Sequence, residues 1–153
     1  MPHDHRQMAK DLWARTWTLL DKTERTEEEV AELTEAAFAS RWHWRQAGTG
    51  VHAQRGEWML GRVWCEVGVP QAASWHLKRT EALTEAHKAE LQDFDFAFVI
   101  ALRARVAAIS GDLNRAASEY AAAEAAGRRL SDAGDREEFA RQLNSGNWGA
   151  FKR

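Results

Sequence analysis

The chain contains almost no residues that interrupt a helix. Only two prolines, Pro2 and Pro70, occur in 153 residues, whereas alanine, glutamate, arginine and leucine are abundant. The abundant residues have high helix propensity, and the alternation of apolar and polar residues that is typical of strands is almost absent. The sequence therefore predicts an all-α fold.

Capping and turn signals divide the sequence into about seven helices. Asp4 is a candidate N-cap, Thr26 and Glu29 form a capping box, and glycines such as Gly68 and Gly111 stand where helices are expected to end. The predicted helices cover about 5–20, 26–46, 51–67, 70–90, 94–111, 112–130 and 136–143. Short connections between them predict antiparallel helical hairpins.

Length, charge and cysteine content favour one cytoplasmic domain. A chain of 153 residues is long enough for a single core, and it has no apolar run of membrane-spanning length and no leader-like start. The net charge of −2 indicates no surface for nucleic acid, and the single cysteine, Cys65, cannot form an internal disulfide. We therefore expect neither nucleic acid nor a membrane as a partner.

Two segments share one spacing of small and large residues, 43 positions apart. The first copy consists of Gly61, Trp64, Gly68, Ala73, Leu77 and Thr80, and the second of Ala104, Ala107, Gly111, Ala116, Tyr120 and Ala123. A small residue in mid-helix lets the paired helix approach closely, and a glycine permits the tight turn. The spacing therefore predicts two helical hairpins of the same kind.

This spacing resembles the tetratricopeptide repeat, most closely over residues 104–123. The copies are further apart than the usual period of about 34 residues, which longer helices would absorb. The stretches ASRWHW at 39–44 and RGEWMLGRVWCEVG at 55–68 also resemble a group of uncharacterised bacterial tetratricopeptide-like proteins. A generic alanine-rich helical bundle is the alternative.

The resemblance implies a short tetratricopeptide-like α-solenoid in which antiparallel hairpins stack as one domain over residues 1–143. It consists of a diverged pair at 4–46, repeats at about 51–90 and 94–130, and a capping helix at 136–143. The remaining residues, 144–153, are expected to form a flexible tail unless Trp148 or Phe151 docks.

In a tetratricopeptide-like stack, the first helix of each pair lines a concave groove. Side chains at spacings of three and four fall on one face of each such helix. The predicted partner-binding groove contains Arg55, Trp58, Arg62, Glu66, Phe98 and Arg105, with Cys65 beside them. Arginine grips carboxylates and an aromatic ring supplies buried area, so we expect an adaptor that binds a protein or peptide, with an acidic segment favoured. Alternatively, these arginines pair with local acids such as Glu57 and Glu66.

Two other function classes remain open. One is a helical enzyme or small-ligand sensor with a buried polar pocket of Arg41, Arg55 and Glu57 between the second and third helices. The other is a homo-oligomer that buries the groove against itself. The sequence contains no metal-binding motif, phosphate loop or second cysteine, so it predicts no metal, cofactor or catalytic residue, and the adaptor is preferred to the enzyme.

Overall fold

Seven α-helices make up the computed structural model, which describes residues 4–153. They are α1 (His5–Leu20), α2 (Glu27–Ala47), α3 (Gly50–Val67), α4 (Pro70–Ala86), α5 (Asp93–Ile109), α6 (Leu113–Arg128) and α7 (Ala133–Leu143). The described residues contain no strand. The all-α prediction is confirmed.

The helices stack as three antiparallel hairpins followed by a single helix. The hairpins are α1 with α2, α3 with α4, and α5 with α6. Each hairpin packs against the next, through α2 on α3 and α4 on α5, while α3 also contacts α5 and α7 packs on α5 and α6. The predicted helical stack is therefore observed, with α1, α3 and α5 as the first helices of the three pairs.

Local capping chemistry explains most of the helix ends. The Asp4 side chain accepts a hydrogen bond from the backbone N–H of Gln7, and Thr26 and Glu29 form the predicted capping box. Two predicted boundaries were wrong. Helix α4 ends at Ala86 and not near residue 90, because residues 87–90 form a turn, and α7 begins earlier than predicted because Asp132 caps it.

The two repeat copies have the same local structure at their matched positions. Gly68 and Gly111 both adopt a left-handed backbone, with φ of 88° and 85°, at the end of the first helix of each pair. Ala73 and Ala116 are both fully buried. A Cβ on Gly61 would lie 2.9 Å from Leu102 Cδ2, so the absence of a side chain there permits the close approach of α5 to α3.

The segment after α7 packs against the stack. Trp148 is only 4% exposed, and its ring lies 5.2 Å from that of Tyr120 and 6.0 Å from that of Phe151, measured between centroids. The expectation of a flexible tail over residues 144–153 depended on neither aromatic residue docking. Trp148 docks, so this segment belongs to the second of two apolar cores, the one between α5, α6 and α7.

Candidate functional site

Aromatic side chains from α1, α3 and α5 meet on one face of the stack. The ring of Trp17 lies 6.3 Å from that of Trp13 and 5.9 Å from that of Trp58, and Trp58 lies 5.2 Å from Phe98. The indole Nε1 of Trp58 donates a hydrogen bond of 2.9 Å to the backbone oxygen of Phe98. These contacts produce a continuous aromatic surface along the first helices of the three pairs.

A cavity of about 110 Å³ opens between these rings. We call it the aromatic pocket, and its lining residues are Trp13, Trp17, Gln54, Arg55, Trp58, Phe94, Asp95 and Phe98. The side chains of Trp13, Trp17, Phe94 and Phe98 are only partly buried, whereas Trp58 is 8% exposed. The pocket is therefore lined mainly by apolar side chains, and several of them remain accessible.

Arg55 stands at the edge of the aromatic pocket in a fixed orientation. Its Nε and Nη2 donate hydrogen bonds of 2.9 Å each to the two carboxylate oxygens of Asp95, and its guanidinium carbon lies 5.0 Å from the centre of the Phe94 ring. Asp95 is buried, but the Arg55 side chain remains 34% exposed. Arg55 therefore keeps donor groups that can face a ligand.

Gln54 lines the same pocket, but its amide is buried. Its Nε2 donates to Thr84 Oγ1 at 3.0 Å, while its Oε1 is closed to solvent and accepts no hydrogen bond within residues 4–153. An unsatisfied buried acceptor is costly, so this atom lowers the local stability and is not presented to a ligand.

A second cavity, of about 260 Å³, adjoins the first and shares Trp13 and Arg55 with it. We call it the basic pocket, and its lining residues are Arg6, Lys10, Trp13, Trp44, His52 and Arg55. The Trp44 and His52 rings stack with centroids 3.9 Å apart, and the Arg6 guanidinium lies 5.5 Å from the Trp44 ring. Burial, together with the charges of Arg6, Arg55 and Lys10, lowers the pKa of His52, so its imidazole is neutral at pH 7.

The other end of the predicted groove is covered by the chain itself. Arg105, only 3% exposed, donates hydrogen bonds to the backbone oxygens of Gln142 (2.9 Å), Ser145 (3.0 Å) and Asn147 (3.3 Å). Its guanidinium carbon also lies 4.1 Å from the centre of the Trp148 ring. The segment after α7 thus occupies the place where a partner was expected.

Glu66 connects this segment to α3. Its carboxylate accepts hydrogen bonds of 2.9 Å from Arg62 Nη1 and from the backbone N–H of Asn147, and it also pairs with Arg25. Burial pushes the pKa of Glu66 up, but the charge of Arg62, the Asn147 hydrogen bond and the charge of Arg25 outweigh it, so the pKa lies below its ordinary value.

These contacts correct part of the groove prediction. The structure brings Arg55, Trp58 and Phe98 together at the open end, where they line the aromatic pocket. Arg62 and Arg105 are both buried next to the segment after α7 and are not open to a partner. Arg105 donates to the chain's own backbone oxygens, while Arg62 pairs with Glu66 and its Nε has no partner within residues 4–153.

The predicted polar pocket is also only partly assembled. Arg41 is buried against Glu57, with 3.3 Å between Arg41 Nε and Glu57 Oε1, and Glu57 also contacts His76 Nδ1 at 2.7 Å and Arg79 Nε at 3.0 Å. Burial raises the pKa of Glu57, but hydrogen bonds from His76 and Arg79 outweigh it and the pKa is lowered. Arg55 is absent from this cluster, because residues two positions apart on a helix point to different sides.

Several residues of the two pockets were not predicted as site residues. Arg6, Lys10, Trp13 and Trp17 follow one another along α1 at spacings of four, three and four, which places them on one face. That pattern could have been found in the sequence, because it matches the stripe on α3. The position of Gln54 in the pocket could not have been found in this way, because nothing in the sequence shows which buried amide lies there.

Neither a metal-binding cluster nor a membrane-spanning helix is found among residues 4–153. No three His, Cys, Asp or Glu side chains among them are grouped so that they could hold a metal ion, and none of the helices there is both long and apolar enough to cross a membrane. Cys65 is fully buried, and this burial raises its pKa to about 12.

The fold and the two pockets define a stack of helical hairpins with an aromatic and basic groove on its first-helix face. Comparison of the chain with protein-family models, with curated proteins and with solved structures found no match. The function of the protein is therefore inferred from the residues of this groove.

Proposed function

We propose that the protein is a tetratricopeptide-like adaptor that binds a peptide segment of a partner protein in the aromatic pocket. The observation that carries the proposal is an accessible apolar cavity enclosed by three tryptophans and two phenylalanines, with Arg55 at its edge. Aromatic and arginine side chains of this kind dominate the energetics of protein interfaces. An anchoring side chain of the partner would fill the cavity.

The size and polarity of the pocket indicate what the anchor is. An apolar cavity of about 150 Å³ binds benzene, so one of about 110 Å³ that is open on one side fits a single bulky apolar side chain. The exposed donor groups of Arg55 would donate a hydrogen bond to a backbone or side-chain oxygen of the same segment. A peptide supplies both groups at once.

An enzyme or sensor built on Arg41 and Glu57 has less support. The Glu57 carboxylate is held by Arg41, His76 and Arg79, which compensate its charge within the protein. A substrate that drew on this carboxylate would have to compete with these three ion pairs.

Selection from a displayed library of random peptides, followed by calorimetry with the enriched sequences, tests the proposal. We expect the enriched peptides to share a bulky apolar residue and to lose affinity by about 2 kcal/mol, roughly thirtyfold, on Trp13→Ala. Trp75→Ala is the matched control, because Trp75 is 63% exposed on α4 and lies outside the pocket. Peptides that bind Trp13→Ala as tightly as the wild type would show that another surface is used.

A further inference from the structure

We infer that the basic pocket binds a carboxylate of the same ligand whose apolar group fills the aromatic pocket. This inference rests on the proposed function and adds the chemistry of the second half of the ligand. A ligand for the whole site has a bulky apolar group and, a few bonds away, a carboxylate.

The first argument is the uncompensated charge of the basic pocket. None of its six lining residues is acidic, and neither Arg6 nor Lys10 forms an ion pair with any residue between 4 and 153. Arg55 is different, because Asp95 already neutralises it. Two positive charges therefore line a cavity large enough for a small anionic group. Because both side chains are exposed, their attraction for that group is modest and weakens with salt.

The second argument is the arrangement of Arg6. Its guanidinium carbon lies 5.5 Å from the centre of the Trp44 ring, and the Trp44 ring stacks on that of His52. The Arg6 side chain is therefore in contact with an aromatic ring that is itself held in place. Guanidinium groups donate two parallel hydrogen bonds to a carboxylate, and a support that limits side-chain motion lowers the entropic cost of that pairing. Lys10, one turn further along α1, adds a second donor on the same side.

The third argument is the continuity of the two pockets. Trp13 and Arg55 line both cavities, so the two pockets are neighbours. One ligand can therefore place an apolar ring in the aromatic pocket and a charged group in the basic pocket. The carboxylate therefore belongs either to the anchoring residue at a peptide C-terminus or to an adjacent acidic side chain. The two sources share one chemistry and can be separated experimentally.

The test compares N-acetyl-phenylalanine with N-acetyl-phenylalaninamide in NMR titrations that follow the Trp13 indole N–H and the His52 ring. We expect the acid to bind about two- to fivefold more tightly than the amide at low salt. We also expect the acid to raise the pKa of His52, because the new negative charge offsets Arg6, Lys10 and Arg55. The amide should perturb Trp13 without that change.

Variants without the charges of Arg6 and Lys10 test whether these two residues cause the difference in affinity between the acid and the amide. Arg6→Gln/Lys10→Gln should reduce the affinity for the acid to that for the amide and leave the amide unchanged. Lys78→Gln/Arg115→Gln, which removes two exposed charges outside both pockets, should preserve the difference. Comparison of acetyl-Phe-Glu-amide with acetyl-Phe-Gln-amide then identifies the source, since a preference for the former assigns the acid to a side chain and equal binding assigns it to the C-terminus.

The outcomes separate the two proposals. Equal affinities of the acid and amide forms in both pairs, with Trp13 perturbed, would overturn the carboxylate site and leave the aromatic pocket intact. Tighter binding of inorganic phosphate than of acetate at His52 would also overturn it, by assigning the pocket to a phosphate group. Failure of the amide to perturb Trp13 would contradict the aromatic anchor of the proposed function.

Discussion

The buried charges of Glu66 and Arg105 both depend on partners far along the chain. Glu66 is paired with Arg62 and Arg25 and accepts a hydrogen bond from the backbone N–H of Asn147. Arg105, in contrast, donates its hydrogen bonds to backbone oxygens, and its guanidinium contacts the Trp148 indole ring. Because removing one member of a buried pair leaves the other uncompensated, these contacts fix the local structure tightly.

The stability of the protein should fall in acid partly because of Glu66. Its pKa is lowered in the folded state, so its contribution is fully present above the ordinary value of 4.5 and is lost as the pH falls through the lower, folded-state pKa. Glu66→Gln, which does not titrate, should therefore show a weaker dependence of the free energy of unfolding on pH in this range. Urea titrations between pH 3 and 7 measure it, with exposed Glu85→Gln as control. Parallel curves for wild type and Glu66→Gln would refute the assignment.

Cys65 should be chemically inert in the folded protein. Its side chain is fully buried and its pKa is raised to about 12, so almost no thiolate exists at neutral pH. A thiol reagent should modify it only after urea is added, as measured by absorbance at pH 7.5. Rapid modification of the native protein would reopen a catalytic role for this cysteine.

At the scale of helices, the small residues of the repeat determine how closely neighbouring helices pack, both within a pair and between pairs. Ala73 and Ala116 are fully buried at the start of the second helix of their pairs, and Gly61 faces Leu102 across the contact of α3 with α5. A larger side chain at these positions would push two helices apart, because interiors are packed without spare volume.

Overpacking at Ala116 tests this account with a neighbouring control. Ala116→Leu should destabilise the protein by about 1–3 kcal/mol, whereas Ala117→Leu, the same change at the next, exposed position of α6, should change stability by less than about 0.5 kcal/mol. Thermal melts of the two variants give the comparison. Equal melting temperatures would mean that the repeat spacing does not reflect close packing.

The elements were predictable where a local signal marks both ends. Helix α1 was placed correctly because Asp4 caps its start and a polar turn follows Leu20. The end of α4 was missed because residues 87–90, His-Lys-Ala-Glu, include good helix formers and no glycine or proline. Helix propensity alone therefore does not show that the helix ends at Ala86.

In the whole molecule, the face formed by the first helices of the pairs has an open half and a covered half. The open half is predictable in part, since the spacing of Arg55 and Trp58 on α3 places them on one stripe. The covered half is not, because the partners of Arg105 are backbone oxygens 37 to 42 positions later in the chain. Backbone acceptors leave no residue pattern, so only the aromatic residues Trp148 and Phe151 indicate that the segment after α7 can dock.

Docking of the final segment should contribute substantially to global stability. Trp148→Ala removes a buried indole and its contact with Arg105, and we expect a loss of about 3–5 kcal/mol in the free energy of unfolding. Trp75→Ala, at a tryptophan that is 63% exposed, should cost far less. Urea unfolding followed by circular dichroism provides both values. Similar losses for the two variants would show that the segment is not held in solution.

The hydrogen bonds of Arg105 also have a consequence for the order of synthesis. The hairpins leave the ribosome in sequence and begin to fold as they emerge, but Arg105 appears well before residues 142–147, whose backbone oxygens it needs. A nascent chain that has completed only α6 therefore lacks these acceptors and the Trp148 ring, so the Arg105 guanidinium cannot be buried as it is in the folded structure. Chaperones that meet the chain at that stage are expected to face a longer groove than the one that stays open once residues 142–148 have docked.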